Sequence, residues 1–184
     1  MSEKESKWGW NMGNIGTELK IYTDGGCSGN PGPGGWAYVI EAVSVSGAGG
    51  ASGGDRAGEF PGSAKIIAEK WGAESNTTNN RMELSAVIAA LEALSGLALS
   101  PEKITVYTDS QYVQKGITQW IRLWKRNNWR TSGKDPVKNR ELWQRLDELS
   151  TCFPLVWIWI KGHAGNKMNE RCDMMTREAI ASIV

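Results

Sequence analysis

Two apolar segments far apart in the chain end on the same residues: Ile21-Tyr22-Thr23-Asp24 and Val106-Tyr107-Thr108-Asp109. Each has the β-branched and aromatic content of a strand. If the strands are neighbours and parallel, as a helical crossover permits, both carboxylates leave the same carboxyl edge of one sheet, where open α/β folds place their sites. Like charges at close range repel and raise a pKa, so such a pair needs a cation, a shared proton or distance. Strand-end aspartates also begin turns and cap helices, so the echo alone leaves both readings open.

The rest of the chain supplies the partners such a sheet needs. Leu19 to Thr23 reads as a first strand ending at the turn signal Asp24-Gly25-Gly26, and Gly35 to Val43 as a second. From Ser44 to Ser63 the chain is rich in Gly, Ala and Ser, with too little apolar surface to offset the entropy of ordering it, which predicts a long hairpin loop. Lys65 to Trp71 reads as the returning strand of an antiparallel meander. Met82, Leu84, Val87, Ile88, Leu91 and Leu94 then recur at helical spacing, up to Gly96. Ile104 to Thr108 and Val156 to Ile160 read as strands; Gln111 to Gly116, Trp120 to Lys125, Leu142 to Leu149 and Asn169 to Ile180 read as helices. This order predicts an α/β fold, a mixed sheet with helices on its faces. Residues 1–17 are polar and Gly/Asn-rich and read as a disordered extension, leaving 18–184 as a single domain of ordinary size.

Three further residues draw attention. Glu83 follows Asn80 at the spacing of a capping box, which favours a helix cap if it is taken alone. The polar run Asn76-Thr77-Thr78-Asn79-Asn80 before it offers more hydrogen-bonding capacity than one helix end requires, and suits a sugar-phosphate chain. Asp173 lies early in the last helix. His163, the only histidine, sits in the Gly-flanked loop Lys161-Gly162-His163-Ala164-Gly165 and is a candidate proton shuttle.

The formal net charge of +1 hides a strong asymmetry. Between Lys115 and Arg140 eight basic residues face Asp135 alone, a net +7, while the remainder holds 13 basic and 19 acidic residues, a net −6. Arg122, Lys125, Arg126 and Arg130 alternate there with Trp120, Trp124 and Trp129. Basic groups neutralise phosphates and flat indoles offer faces to sugars or bases, so the segment reads as a nucleic-acid surface. Cys27, Cys152 and Cys172 form no CxxC pair, which argues against a zinc site and fits a reducing cytoplasm. No apolar run is long enough to span a membrane. No apolar surface stripe is left over, so a monomer is expected.

Taken together, the motifs resemble the bacterial type 1 ribonuclease H family. The residues that carry the resemblance are Tyr22-Thr23-Asp24-Gly25, Cys27 to Gly35, Thr77 to Leu84, Thr108 to Val113, and Lys161 to Gly165 with Asn169 to Asp173. They span Leu19 to about Ala181, in order. The resemblance implies a five-stranded mixed sheet, three antiparallel strands then two parallel, flanked by helices. It implies a metal-binding tetrad of Asp24, Glu83, Asp109 and Asp173, and hybrid contacts through Cys27, Asn30, Thr78, Asn79, Asn80 and Gln111. It also makes the basic segment at 115–140 the substrate-binding protrusion, with Trp120, Arg122, Trp124, Lys125, Arg126 and Trp129 on the DNA strand, and makes His163 an assistant in proton transfer or product release.

The activity expected on that basis is endonucleolytic cleavage of the RNA strand of an RNA–DNA hybrid, with two Mg²⁺ ions per active site and Mn²⁺ as a possible substitute. Three features depart from the family pattern: the long loop at 44–63, the extra residues 1–17, and Asn166 where many relatives carry a second histidine. Two rival readings are a DNA strand transferase of integrase or transposase type and a non-catalytic hybrid-binding module. The fourth acid, the His163 loop and the basic segment argue against the first. Four acids facing a phosphate, useless to a mere binder, argue against the second.

Overall fold

A computed structural model describes residues 17–44, 64–97, 99 and 101–184. The expected N-terminal extension, up to residue 16, and the Gly/Ala/Ser-rich loop, residues 45–63, lie outside the described residues. Thr17 and Ser44, expected at the edges of those segments, pair with each other inside the sheet.

Strand β1 (Thr17–Cys27) pairs antiparallel with β2 (Gly32–Ser44), and β2 pairs antiparallel with β3 (Ala64–Thr77). Helix α1 (Asn79–Ser95) crosses to β4 (Lys103–Thr108), which lies parallel to β1, and β5 (Leu155–Trp159) lies parallel to β4. The sheet order is β3-β2-β1-β4-β5, so the five-stranded mixed sheet expected from the sequence is the one formed. Between β4 and β5 run α2 (Gln111–Lys115), a π-helical turn (Gly116–Trp120), α3 (Ile121–Arg126) and α4 (Arg140–Ser150); α5 (Lys167–Ala181) closes the chain.

Strand alternation divides the core between the two faces of the sheet. Leu19, Ile21, Ile40, Ile104 and Val106 point to one face, where Leu84, Val87 and Leu91 of α1 and Trp143 and Leu146 of α4 cover them. Tyr22, Ala37 and Val39 point to the other, against Cys172 and Met175 of α5. Gly116 opens the first layer: a side-chain carbon there would stand 2.0 Å from the Trp143 ring, which is fully buried. The π-helical turn starts at that glycine, a local irregularity of the kind often found at functional segments.

Two local expectations are corrected. Asp24-Gly25-Gly26 is not a turn, because β1 runs on through it to Cys27, where Cys27 pairs with Gly34. The capping box does not form either: Thr78 is the N-cap with extended backbone, and Glu83 lies beyond the first turn with only 7% exposure. Asn76 and Thr77 belong to the end of β3, so the polar run is shared between a strand end and a helix start.

Candidate active site

In the parallel register Tyr22 faces Tyr107 and Thr23 faces Thr108, so Asp24 and Asp109 follow matched positions at one sheet edge. The rings of Tyr22 and Tyr107 stack at 4.9 Å, which ties that register to side-chain packing. Burial pushes the Asp24 carboxyl up to about 6; the Thr176 hydroxyl and His163 oppose the shift, and the negative charges of Asp109 and Asp173 add to it. Glu83 arrives from α1. Gly25, beside Asp24, has no side chain, and a Cβ there would stand 2.3 Å from the Glu83 main-chain nitrogen. The glycine therefore lets the helix backbone rest against β1. Glu83 Oε2 is buried with no hydrogen-bond partner among the described residues. Burial first, then the charges of Asp24 and Asp109, hold its carboxyl well above the usual range.

The β5–α5 side contributes the rest. Asp173 is half-buried on α5, and Arg177 one turn on contacts its Oδ2. His163 adopts a left-handed backbone, φ 52°, in the loop before α5. Its Nδ1 stands 3.9 Å from Asp173 Oδ2, beyond hydrogen-bond length, and its side chain is 78% exposed. Asp109 receives a 3.2 Å hydrogen bond on Oδ2 from the Asn169 amide, and its main-chain carbonyl accepts one of 2.9 Å from the Trp159 indole. A Cβ on Gly162 would stand 2.8 Å from Asp109 Oδ2, so the histidine loop also backs onto this acid.

Among the described residues, no three His, Cys, Asp or Glu side chains close to the spacing of a metal shell. The donor set still fits a hard divalent cation: its ligands would be carboxylate oxygens, one has no partner among the described residues, and the burial and mutual repulsion that raise Asp24 and Glu83 are what a cation offsets.

Comparison with known proteins identifies the family. The family model described as RNase H matches residues 16–181. The chain belongs to the type 1 ribonuclease H family. Ribonuclease H of Treponema denticola is 48% identical over 171 residues, covering 88% of this chain and 96% of that protein. Ribonuclease H of Ruegeria pomeroyi is 51% identical over 162 residues, covering 87% and 90%. Among solved structures, LC9-RNase H1, a type 1 RNase H with the type 2 active-site motif, superposes with a TM-score of 0.71 at 28% identity, covering 92% of this chain and 74% of that one. LC11-RNase H1, solved in complex with RNA/DNA hybrid, gives 0.59 at 26% identity, covering 89% and 97%.

As a ribonuclease H, the chain is a hydrolase of the RNA strand of RNA–DNA hybrids and draws on divalent-metal catalysis, Mg²⁺ in general. No helix among its described residues is long and apolar enough to cross a membrane. The residues expected to touch the hybrid lie partly in contacts of their own. The Cys27 thiol donates to the carbonyls of Gly32 at 3.3 Å and Thr77 at 3.4 Å, and Asn30 Oδ1 accepts from the Asn79 amide at 3.4 Å. Asn80 and Gln111 are exposed, and Gln111 Oε1 accepts from Lys115 at 2.9 Å. Thr78 makes no side-chain cap bond.

In the basic segment of this ribonuclease H the aromatic groups pack inward in part. Trp120 and Trp124 lie 5.7 Å apart, Trp124 and Trp143 lie 5.3 Å apart, and Trp129 is half-buried. Arg122, Lys125 and Arg126 stay exposed on that platform, with Lys125 paired to Asp147 at 2.6 Å. Asn166, at the position of the missing second histidine, caps α5 by accepting from the amides of Met168 and Asn169 at 3.2 Å. Sequence reasoning had given no role at the site to Gly25, Trp159, Gly162 or Asn169. Only Asn169 left a signal, one helical turn before Asp173 on the same face.

Proposed function

We propose that this ribonuclease H cuts the RNA strand by a two-metal-ion mechanism, with Asp24, Glu83, Asp109 and Asp173 as ligands, leaving 5′-phosphate and 3′-hydroxyl ends. The observation that carries this reading is the buried Glu83 carboxylate, its Oε2 without a partner among the described residues, beside Asp24 and Asp109 at the parallel strand ends. When bound, the metals would supply an activated water and charge neutralisation at the scissile phosphate. Mn²⁺ shares the preference for oxygen ligands and would substitute.

The chain's own residues supply the remaining tasks. A bound cation would favour the ionised forms of Asp24 and Glu83, whose carboxyls burial raises. Asn30, Asn79 and Gln111 present polar groups that would read 2′-hydroxyls, which only the RNA strand carries. Arg122, Lys125 and Arg126 would take the DNA backbone. The exposed His163 imidazole, within reach of Asp173, would move a proton at Nδ1 as product leaves. We further propose that the protein acts as a cytoplasmic monomer.

The deciding experiment incubates labelled RNA–DNA hybrid, double-stranded RNA and double-stranded DNA with and without Mg²⁺. The expected result is cleavage of the hybrid's RNA strand only, dependent on Mg²⁺ and abolished by Asp24→Asn. Cleavage by Asp24→Asn at the parent rate would overturn the ligand assignment.

A further inference from the structure

The end of β5, the loop after it and α5 surround Asp109: the Trp159 indole donates to its carbonyl, Gly162 faces Oδ2 with no side chain between, and the Asn169 side-chain amide donates to Oδ2 at 3.2 Å. The last is the informative one. Asn169 is only 2% exposed. The Asn169 amide turns its NH₂ toward Asp109 Oδ2. Its own Oδ1 is thereby left buried, with no hydrogen-bond partner among the described residues. A buried amide with a bare oxygen costs stability, and an apolar side chain would pack this face of α5 at no such cost. Helix packing therefore does not account for an asparagine here, whereas the bond to Asp109 does.

We propose that Asn169 is a positioning residue for the acid cluster: it fixes Oδ2 of Asp109, so that this carboxylate meets a divalent cation with its other oxygen already oriented. The proposal rests on the reading of Asp109 as a metal ligand. A donor behind a ligating carboxylate restricts its rotation and saturates one oxygen, and loss of such outer partners weakens metal binding by about 10- to 100-fold. Asn169 reaches this position because α5 starts at Lys167 under the Asn166 cap, which aims the first turn of the helix at the end of β4. The same helix carries Asp173 one turn later, so one rigid element sets one acid directly and another through a hydrogen bond.

The test is a Mg²⁺ titration of the substrate-free protein, followed by NMR amide shifts, for the parent, Asn169→Ala and Asp109→Asn. The expected result is weaker Mg²⁺ binding in both variants, about 10-fold or more for Asn169→Ala. Its KM for hybrid should hold at saturating Mg²⁺, and its kcat deficit should shrink as Mg²⁺ is raised, which a general folding defect would not do. If Asp109→Asn weakens binding and Asn169→Ala leaves it unchanged, the proposal is overturned while the ligand reading survives. If Asp109→Asn leaves binding unchanged, the ligand reading falls and takes the proposal with it. One parent measurement covers the case of an alanine variant that does not fold: the Asn169 side-chain N–H facing Asp109 should exchange slowly with solvent, with and without Mg²⁺. Fast exchange overturns the proposal.

Discussion

Gly25 and Glu83 meet backbone to backbone, a Cβ on the glycine falling 2.3 Å from the main-chain nitrogen of the glutamate. The distance between Asp24's strand and Glu83's helix is therefore set by a missing side chain. Alanine at this position must push α1 away from β1, and overpacking of this kind costs roughly 1–3 kcal/mol. Gly26 is the control, since its Cβ would meet only side-chain methyls, of Thr176 at 3.3 Å and Ile180 at 3.8 Å, and no backbone. Gly25→Ala should lower the urea midpoint and cut hybrid cleavage about 100-fold under conditions where it is fully folded, in line with the cost of about 1 Å of misplacement. Gly26→Ala should stay near the parent in both. Equal behaviour of the two variants would refute the role given to Gly25.

Asp24 and Glu83 make the metal-free protein sensitive to pH. Both carboxyls are raised, by burial above all. A raised folded-state pKa means that the linked stability is present below the unfolded value and is lost as pH climbs through the folded one. For Asp24 that window runs from 3.8 to about 6. The loss there is at most roughly 3 kcal/mol, at about 1.4 kcal/mol per pH unit. For Glu83 the window opens at 4.5 and extends upward. Without divalent metal, Glu83→Gln should thus unfold at higher urea than the parent near about pH 8 and converge with it below about pH 4. Mg²⁺ should stabilise the parent more than the variant. A variant no more stable than the parent at the higher pH would mean that Glu83 ionises at no cost.

Much of the fold was legible because it follows from periodicity. The repeated Tyr-Thr-Asp ending suited neighbouring parallel strands without requiring them, and Tyr22 and Tyr107 do face each other in register. For Glu83 the spacing from Asn80 taken alone suited a capping box, and only the family resemblance named it a ligand; what separates the two readings is its burial, beside Gly25 of β1. Gly25 itself read as a turn, since no local signal distinguishes a glycine that bends the chain from one that admits a neighbour. The tryptophans of the basic segment carried both meanings at once, and only packing around Trp143 shows how far Trp120 and Trp124 are committed to the interior.

The basic segment should act through its free charges rather than its formal count. Arg122 and Arg126 are exposed without an acidic partner among the described residues, whereas Lys125 already pairs with Asp147 at 2.6 Å. Each phosphate neutralised contributes about 0.7–0.9 to the slope of log affinity against log salt. Replacing both Arg122 and Arg126 with glutamine should flatten the slope for hybrid binding by roughly 1.4–1.8. Lys125→Gln alone should change it by less than either arginine does. An unchanged slope in the double variant would move the DNA-strand surface elsewhere.

His163 presents an imidazole on a backbone that few side chains adopt, φ 52°, with 78% of its side chain exposed and Nδ1 3.9 Å from Asp173. Asparagine tolerates that backbone region and carries no titratable ring. His163→Asn therefore separates the imidazole's chemistry from the loop's conformation, while His163→Ala removes both the ring and a comfortable fit to the left-handed region. Both should keep KM for hybrid and the melting temperature near the parent values. Both should lose turnover about 10- to 100-fold, at or below the lower edge of general acid–base contributions, because the ring is solvent-exposed and water can stand in for it. Parent-like turnover in His163→Asn would show that the loop's shape, not proton movement, is what the residue provides. Complete loss of Mg²⁺-dependent cleavage in either variant would make the histidine indispensable rather than auxiliary.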